Sequence, residues 1–135
     1  MVKHRLGSVA AVLALSWLGI LFHDFRHFGG PSPQASIPAL VIALVLFFAW
    51  WRFPQRQRVV SMIMVTFGVL WLLAAIFSVM PLRIWWFVPE QTLSHYTTHM
   101  VWSATQLPLI WVMVSQIRRS GRCGIAAGSP EGGSR

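Results

Sequence analysis

The sequence predicts an all-α integral membrane protein, an up-down bundle of four transmembrane helices with both termini on the inner side (N-in, C-in). Of its 135 residues, 56% are hydrophobic and only 10% are charged, whereas ordinary soluble domains carry about 25% charged residues. Long apolar runs fill most of the chain, and lysines and arginines form short clusters between them. Composition, run length and charge placement therefore agree on a membrane-embedded bundle.

The first two spans are predicted over about residues 6–24 and 34–53. The first run follows the basic stretch MVKHR, and no small-residue cleavage site follows it, so we expect it to be retained and not removed as a signal peptide. The turn-rich stretch GGPSPQAS separates the two spans. The apolar part of the second, 37–51, is shorter than the roughly 20 residues of a typical span, so its flanking residues must complete it.

The third and fourth spans are predicted over about residues 59–80 and 93–117. The third is free of charge and ends before Pro81. The fourth is polar for a membrane helix, so its polar side should be buried against protein, with a bend near Pro108. We expect one domain over residues 1–117, followed by a disordered, basic, Gly- and Ser-rich cytoplasmic tail over residues 118–135.

The basic residues predict the direction of the spans. The N-terminus, the 52–58 loop and the segment after 117 each hold two or three lysines or arginines, whereas the other two loops hold one each, Arg26 and Arg83. By the positive-inside rule both termini are cytoplasmic, in what we expect to be a bacterial inner or cell membrane. The net charge of +8 therefore indicates topology, and nucleic acid is not an expected partner.

Two histidine pairs stand out, His23 with His27 in LFHDFRHFGG and His95 with His99 in LSHYTTHMVW. Residues four apart stack on one helix face, and the first and last helices of a closed bundle are neighbours. At 1.5 Å per residue the two pairs lie at similar depth near the outer interface. Because the two helices are antiparallel, His23 should meet His99 and His27 should meet His95.

These four histidines are the predicted metal ligands. Imidazole suits copper and zinc, which are the expected ions, and Met80 or Met100 would favour copper. Haem held by His23 and His99 ranks below a single ion, because the histidines lie near the interface. No catalytic residue is predicted, and a non-enzymatic role is favoured.

Four residues are predicted to support the metal ligands. Two of the chain's three acids, Asp24 and Glu90, lie within a few residues of the histidines, and such carboxylates often orient histidine ligands. Trp102 and Gln106 follow His99 down the face of the fourth helix, opposite a small-residue stripe on the first that includes Ser16 and Gly19.

Other interpretations remain open. The histidines could be tolerated interfacial residues, with Asp24 paired to Arg26 or Arg83, or they could serve a proton or quinone role. A rival function is a non-catalytic accessory or assembly subunit of a larger respiratory or transport complex. Besides the lipid bilayer, the expected partners are therefore a larger membrane-protein complex or further copies of the chain. The single cysteine, Cys123, is expected to be a free thiol in the tail.

Overall fold

The computed structural model describes residues 2–80 and 92–126, with the side chains of residues 5–80 and 92–119. These ranges contain no strand, so the predicted all-α class is confirmed. A single 3-10 turn, Pro54–Arg56, joins the second helix to the third. The α-helices are α1 (Val2–Phe28), α2 (Ser36–Arg52), α3 (Gln57–Phe77) and α4 (Leu93–Ala126).

The four helices form a closed ring in which α1 packs against α2 and α4, and α3 packs against α2 and α4. Helix α4 runs antiparallel to α1, since Ser16 bonds to Gln106 whereas His23, further along α1, meets His99, which lies earlier on α4. The predicted contact between the first and last helices is therefore found. We call this contact the α1–α4 seam.

Three helical segments are long and apolar enough to cross a membrane: Arg5–Phe28, Pro54–Phe77 and Leu93–Arg119. Helix α2 is apolar but has only 17 residues, or roughly 26 Å against a hydrocarbon core of about 30 Å. Three helices thus have the length and composition of membrane spans. Helix α2 is the shortest of the four, as its sequence predicted.

The side chains are distributed as lipid requires. Large apolar side chains are exposed on all four helices, among them Leu18, Val45, Leu70 and Trp111. Polar side chains are buried inside, including Ser16, Ser61 and Gln106. A protein in water would expose the second set and bury the first, whereas hydrocarbon solvates apolar side chains and leaves polar ones to find partners within the bundle.

Two apolar cores lie inside the ring. The upper core, which lies towards the C-terminal end of α1, consists of Ile20, Ala39, Ala75 and Trp102. The lower core is larger and consists of Val9, Leu13, Ala43, Leu46, Trp50, Val60, Met64, Leu109 and Met113. Along the α1–α4 seam, the hydrogen-bonded pair Ser16 and Gln106 lies where these two cores meet.

Helix α4 is longer than its predicted span. It continues without interruption through Pro108 and ends at Ala126, not near residue 117. The residues from 118 to 126 were assigned to the tail from their composition, yet their backbone continues this helix. The predicted disorder of the remaining tail concerns residues 127–135, which lie outside the described part of the chain.

The α1–α4 seam depends on a close approach at Gly19. A Cβ atom placed on this glycine would overlap the hydroxyl of Thr105 and lie 2.9 Å from its Cβ. Thr105 is itself held, because its hydroxyl donates a 2.7 Å hydrogen bond to the carbonyl of Trp102. A glycine is therefore needed here for packing, while its backbone stays helical.

We predict that Gly19→Ala lowers the free energy of unfolding by about 1–3 kcal/mol, because the added methyl forces the helices apart or displaces Thr105. The measurement is unfolding in mixed detergent micelles. Gly7→Ala is the matched control, since a Cβ at Gly7 meets nothing within 4 Å, and it should be neutral or slightly stabilising. Equal losses in both variants would contradict the role given to Gly19.

Candidate metal site

The four predicted histidines meet at one end of the bundle, which we call the histidine end. The ring centroids of His23 and His99 lie 4.7 Å apart, and those of His27 and His95 lie 5.1 Å apart. Both predicted layers are therefore present. Within each helix the rings are equally close, at 4.6 Å for the α1 pair and 4.4 Å for the α4 pair. We call the four rings the histidine cluster.

Three members of this cluster can reach one ion. His23, His27 and His99 each offer a ring nitrogen, and the three nitrogens lie within 4.8 Å of one another. A tetrahedral ion about 2.0–2.1 Å from each nitrogen would separate them by roughly 3.4 Å. Each side chain would thus move inward by less than about 1 Å, which rotation about its χ angles can supply.

His95 lies beside these three but has another contact. Its Nε2 is 3.3 Å from the carbonyl oxygen of Ser78 at the end of α3, whereas its Nδ1 is buried without a hydrogen-bond partner. If Nε2 donates to that carbonyl, Nδ1 carries the lone pair. His95 is therefore oriented by α3 and keeps one nitrogen available to a ligand.

The histidines of the cluster differ in solvent exposure. The His23 side chain is 15% exposed, whereas His99 is 2% exposed. Neither ring nitrogen of His99 has a hydrogen-bond partner within ordinary distance and angle limits, although the Ala75 carbonyl of α3 lies near enough to interact electrostatically. Nε2 of His27 also lacks a partner. A buried polar atom left unpaired costs about 1–3 kcal/mol, so these ring nitrogens are compatible with a bound ion that accepts their lone pairs.

Asp24 links the cluster to the start of α2. The carboxylate is fully buried, and its Oδ1 lies 3.3 Å from Nδ1 of His23. Its Oδ2 accepts hydrogen bonds from the backbone N–H groups of Ser32 at 3.0 Å and Ser36 at 3.1 Å. The same side chain thus contacts a histidine, which its predicted supporting role requires, and stabilises the N-terminus of α2.

The alternative ion pair between Asp24 and Arg26 is not formed, because the Arg26 guanidinium instead donates a 2.9 Å hydrogen bond to the hydroxyl of Ser94. Arg83, the other proposed partner, lies outside the described residues. Among the described residues, the partners found for Asp24 are His23, the backbone N–H groups of Ser32 and Ser36, and the hydroxyl of Ser36. Asp24 therefore belongs with the histidine cluster and not with a surface charge pair.

Ser32 and Ser36 were not predicted, although SPQAS carries a recognisable turn signal. The hydroxyl of Ser32 accepts hydrogen bonds from the backbone N–H groups of Gln34 and Ala35, and that of Ser36 accepts one from the N–H of Ser32. Serine before a helix commonly satisfies free N–H groups in this way. The turn itself was predicted from GGPSPQAS, but the contact of these two serines with Asp24 was not, and no signal in the sequence indicates it.

Trp102 forms the floor of the cluster. Its ring centroid lies 4.8 Å from that of His23 and 5.2 Å from that of His99, and it also packs against Trp71 at 5.6 Å. Trp102 thus joins the histidines to the upper core, and its supporting role at a metal site stays a prediction. Apolar side chains beside a metal site limit solvent access to it.

The other predicted contributors lie elsewhere. Gln106 is fully buried but sits deeper in the seam, where it accepts a 2.6 Å hydrogen bond from Ser16 and donates to the Ser16 carbonyl. Met100 is 71% exposed and Met80 is 38% exposed, so thioether ligation has no support. Glu90 lies outside the described residues, and its supporting role stays a prediction.

The ring spacing disfavours haem between His23 and His99. Two axial imidazoles on opposite faces of a haem have centroids separated by roughly 6 Å or more, since each nitrogen lies about 2 Å from the metal. The observed 4.7 Å leaves no room for a macrocycle between the rings. A single ion bound beside the rings requires much smaller movements.

We predict that Asp24→Asn destabilises the fold by about 1–3 kcal/mol, because a neutral amide oxygen accepts the two backbone N–H groups more weakly than a carboxylate does, and the amide nitrogen brings two buried donors where His23 can accept at most one. The readout is the free energy of unfolding in micelles without added metal. Gln34→Glu provides an isosteric control at an exposed position in the same connection and should change stability little. A neutral effect of Asp24→Asn would show that the carboxylate is not needed to hold α2.

Comparison with known proteins adds no function to this geometry. The chain matches no protein-family model, and neither a curated protein nor a solved structure is detectably similar to it.

Proposed function

We propose that this protein is a multi-pass membrane protein that binds one transition-metal ion, copper or zinc, at the histidine cluster. The observation that carries the proposal is the convergence of His23, His27 and His99, whose ligand nitrogens lie within 4.8 Å of one another. Buried His99 strengthens it, because the Ala75 carbonyl of α3 can engage only one of its two ring nitrogens and leaves the lone pair of the other for an ion. An ion would accept the lone pairs that the bundle interior leaves without donors.

The proposed topology is four spans, N-in and C-in, with the cluster near the outer interface. Three helices of sufficient length and the shorter apolar α2 support it. Arg5 and Arg119 lie at the end of the bundle opposite the histidines, and Arg56 lies in the connection between α2 and α3. A membrane orients such arginines towards the cytoplasm, which faces the histidines outward.

We propose copper(II) over zinc, and the spacing of the four rings supports this choice if His95 is a ligand. Four imidazoles around an ion have neighbouring centroids roughly 4.5 Å apart and opposite ones roughly 6.4 Å apart if square, but all roughly 5.2 Å apart if tetrahedral. The four sides of the cluster measure 4.4–5.1 Å, and the diagonal between His27 and His99 measures 6.2 Å. This pattern is closer to the square, which is typical of copper(II).

The site supports binding more than catalysis. Among the described residues, Asp24 is the acid beside the cluster, and backbone N–H groups and His23 already engage it. His23 and His27 are partly accessible, while His99 is buried, so an ion can enter from the histidine end. Accessible histidine ligands are sufficient for a protein that takes up, holds or passes on a metal ion at the membrane surface.

The first test is elemental analysis of the full chain purified in mild detergent and loaded with copper(II) or zinc. We expect about one ion per chain in the wild type and loss of binding in His23→Ala/His99→Ala, since two ligands of one site are removed. His4→Ala, a histidine near the start of α1, is the control and should bind normally. A folded wild type that binds no metal would sink the proposal and leave the accessory-subunit hypothesis.

His95→Gln separates three-ligand from four-ligand binding. Because the other three histidines suffice to hold an ion, we expect one ion per chain to remain, with affinity lowered about tenfold and a smaller loss than in His99→Gln. Chelator competition gives the affinities, and electron paramagnetic resonance of the copper(II) form reports the number of nitrogens. Identical spectra for wild type and His95→Gln would remove His95 from the ligand set.

A further inference from the structure

A second site lies at the other end of the α1–α4 seam, which we call the arginine end. A cavity of about 330 Å³ opens there between the two helices. Its polar lining comes from both helices, with Arg5 and Ser8 on α1 and Ser115, Gln116 and Arg119 on α4. Two guanidinium groups from different helices thus border one cavity together with side chains that can hydrogen-bond.

The chain supplies no carboxylate to this cavity from its described part. Asp24 is the single acidic residue within residues 2–80 and 92–126, and it is held at the histidine end. The arginine end is therefore a concentrated positive potential between two membrane helices. Guanidinium groups bind phosphate oxygens in bidentate geometry, so the cavity favours a phosphate group.

A mostly apolar face of α4 lies beside this cavity. A larger open cavity of about 900 Å³, lined by residues of α4 alone, shares Trp111, Val112 and Ser115 with it and extends along that helix past Leu107 to Ala104. From Ser115 to Ala104 the helix rises roughly 16 Å, close to the thickness of one hydrocarbon leaflet, about 15 Å. A polar cavity joined to an apolar groove of this length fits an amphipathic ligand.

We infer that this cleft binds one anionic phospholipid, with its phosphate between Arg5 and Arg119 and an acyl chain along α4 beside Trp111. Basic pockets between membrane helices are suited to acidic headgroups, and the groove accounts for the lipid tail, which a free phosphate does not have. The inference needs the bundle to lie in a membrane, but it does not depend on metal binding. The bound lipid would close the seam at this end by bridging α1 and α4.

The test is native mass spectrometry of the full chain in detergent, titrated with phosphatidylglycerol or phosphatidylcholine. We expect phosphatidylglycerol to bind at one copy per chain, and Arg5→Gln/Arg119→Gln to weaken it about tenfold or more. The matched control is Arg56→Gln/Arg58→Gln, which removes the same charge from exposed positions outside the cavity and should leave binding unchanged. Trp111→Ala should also weaken lipid binding, since it removes part of the groove wall.

Several results would overturn the inference. Equal weakening in both arginine pairs would mean that general charge, and not this cleft, attracts the lipid. Equal binding of phosphatidylcholine would remove the anionic headgroup from the explanation. Displacement of the lipid by millimolar inorganic phosphate would assign the cavity to a soluble anion. If Arg5→Gln/Arg119→Gln fails to fold, the test measures how well phosphatidylglycerol displaces a fluorescent anionic lipid from the wild type and from Trp111→Ala. Equal displacement from the two proteins would contradict the inference.

Discussion

The close approach of α1 and α4 is the constraint on which the rest of the structure depends. Each helix carries its own histidine pair, and neither pair can hold an ion alone in the proposed geometry. The absence of a side chain at Gly19 brings the backbones together beside Thr105, and the reciprocal hydrogen bonds between Ser16 and Gln106 fix the register. A shift of one residue along the seam would rotate the histidines of one helix by about 100° and break both layers.

The proposed lipid environment accounts for the burial of these polar contacts. In hydrocarbon, apolar side chains gain little by packing against each other, so small residues and polar pairs determine which helix faces meet. Asp24 illustrates the cost and its compensation. Its buried carboxylate is stabilised by the backbone N–H of Ser36, at the positive end of the α2 dipole, and by that of Ser32 in the connection before α2. These bonds attach the shortest helix of the bundle beside the histidine cluster.

The sequence predicted the helices and the two histidine layers because both follow from helical geometry alone: four residues give one turn, and antiparallel neighbours reverse the order of depth. It did not predict that Asp24 would bond to Ser32 and Ser36, because that contact depends on the path of the connection, which periodicity does not determine. The sequence placed Gln106 on the seam, where the structure also has it. Its helix face and its depth along α4 do not determine whether its side chain contacts the histidine cluster or a neighbouring serine. The extension of α4 to Ala126 was missed because composition indicated a tail where the backbone continues the helix.

The two proposed ligands act on the same equilibrium. His23 lies roughly 27 Å along α1 from Arg5, so no direct contact can connect the metal site with the lipid cleft. Yet each site is made of residues from both α1 and α4, and each is complete only when these helices are docked. A ligand that binds the docked state and not the separated one stabilises docking by mass action. A lipid bound at the arginine end, as we propose, would therefore favour the geometry that an ion needs at the histidine end, through the shared seam and without a chain of side-chain movements between them.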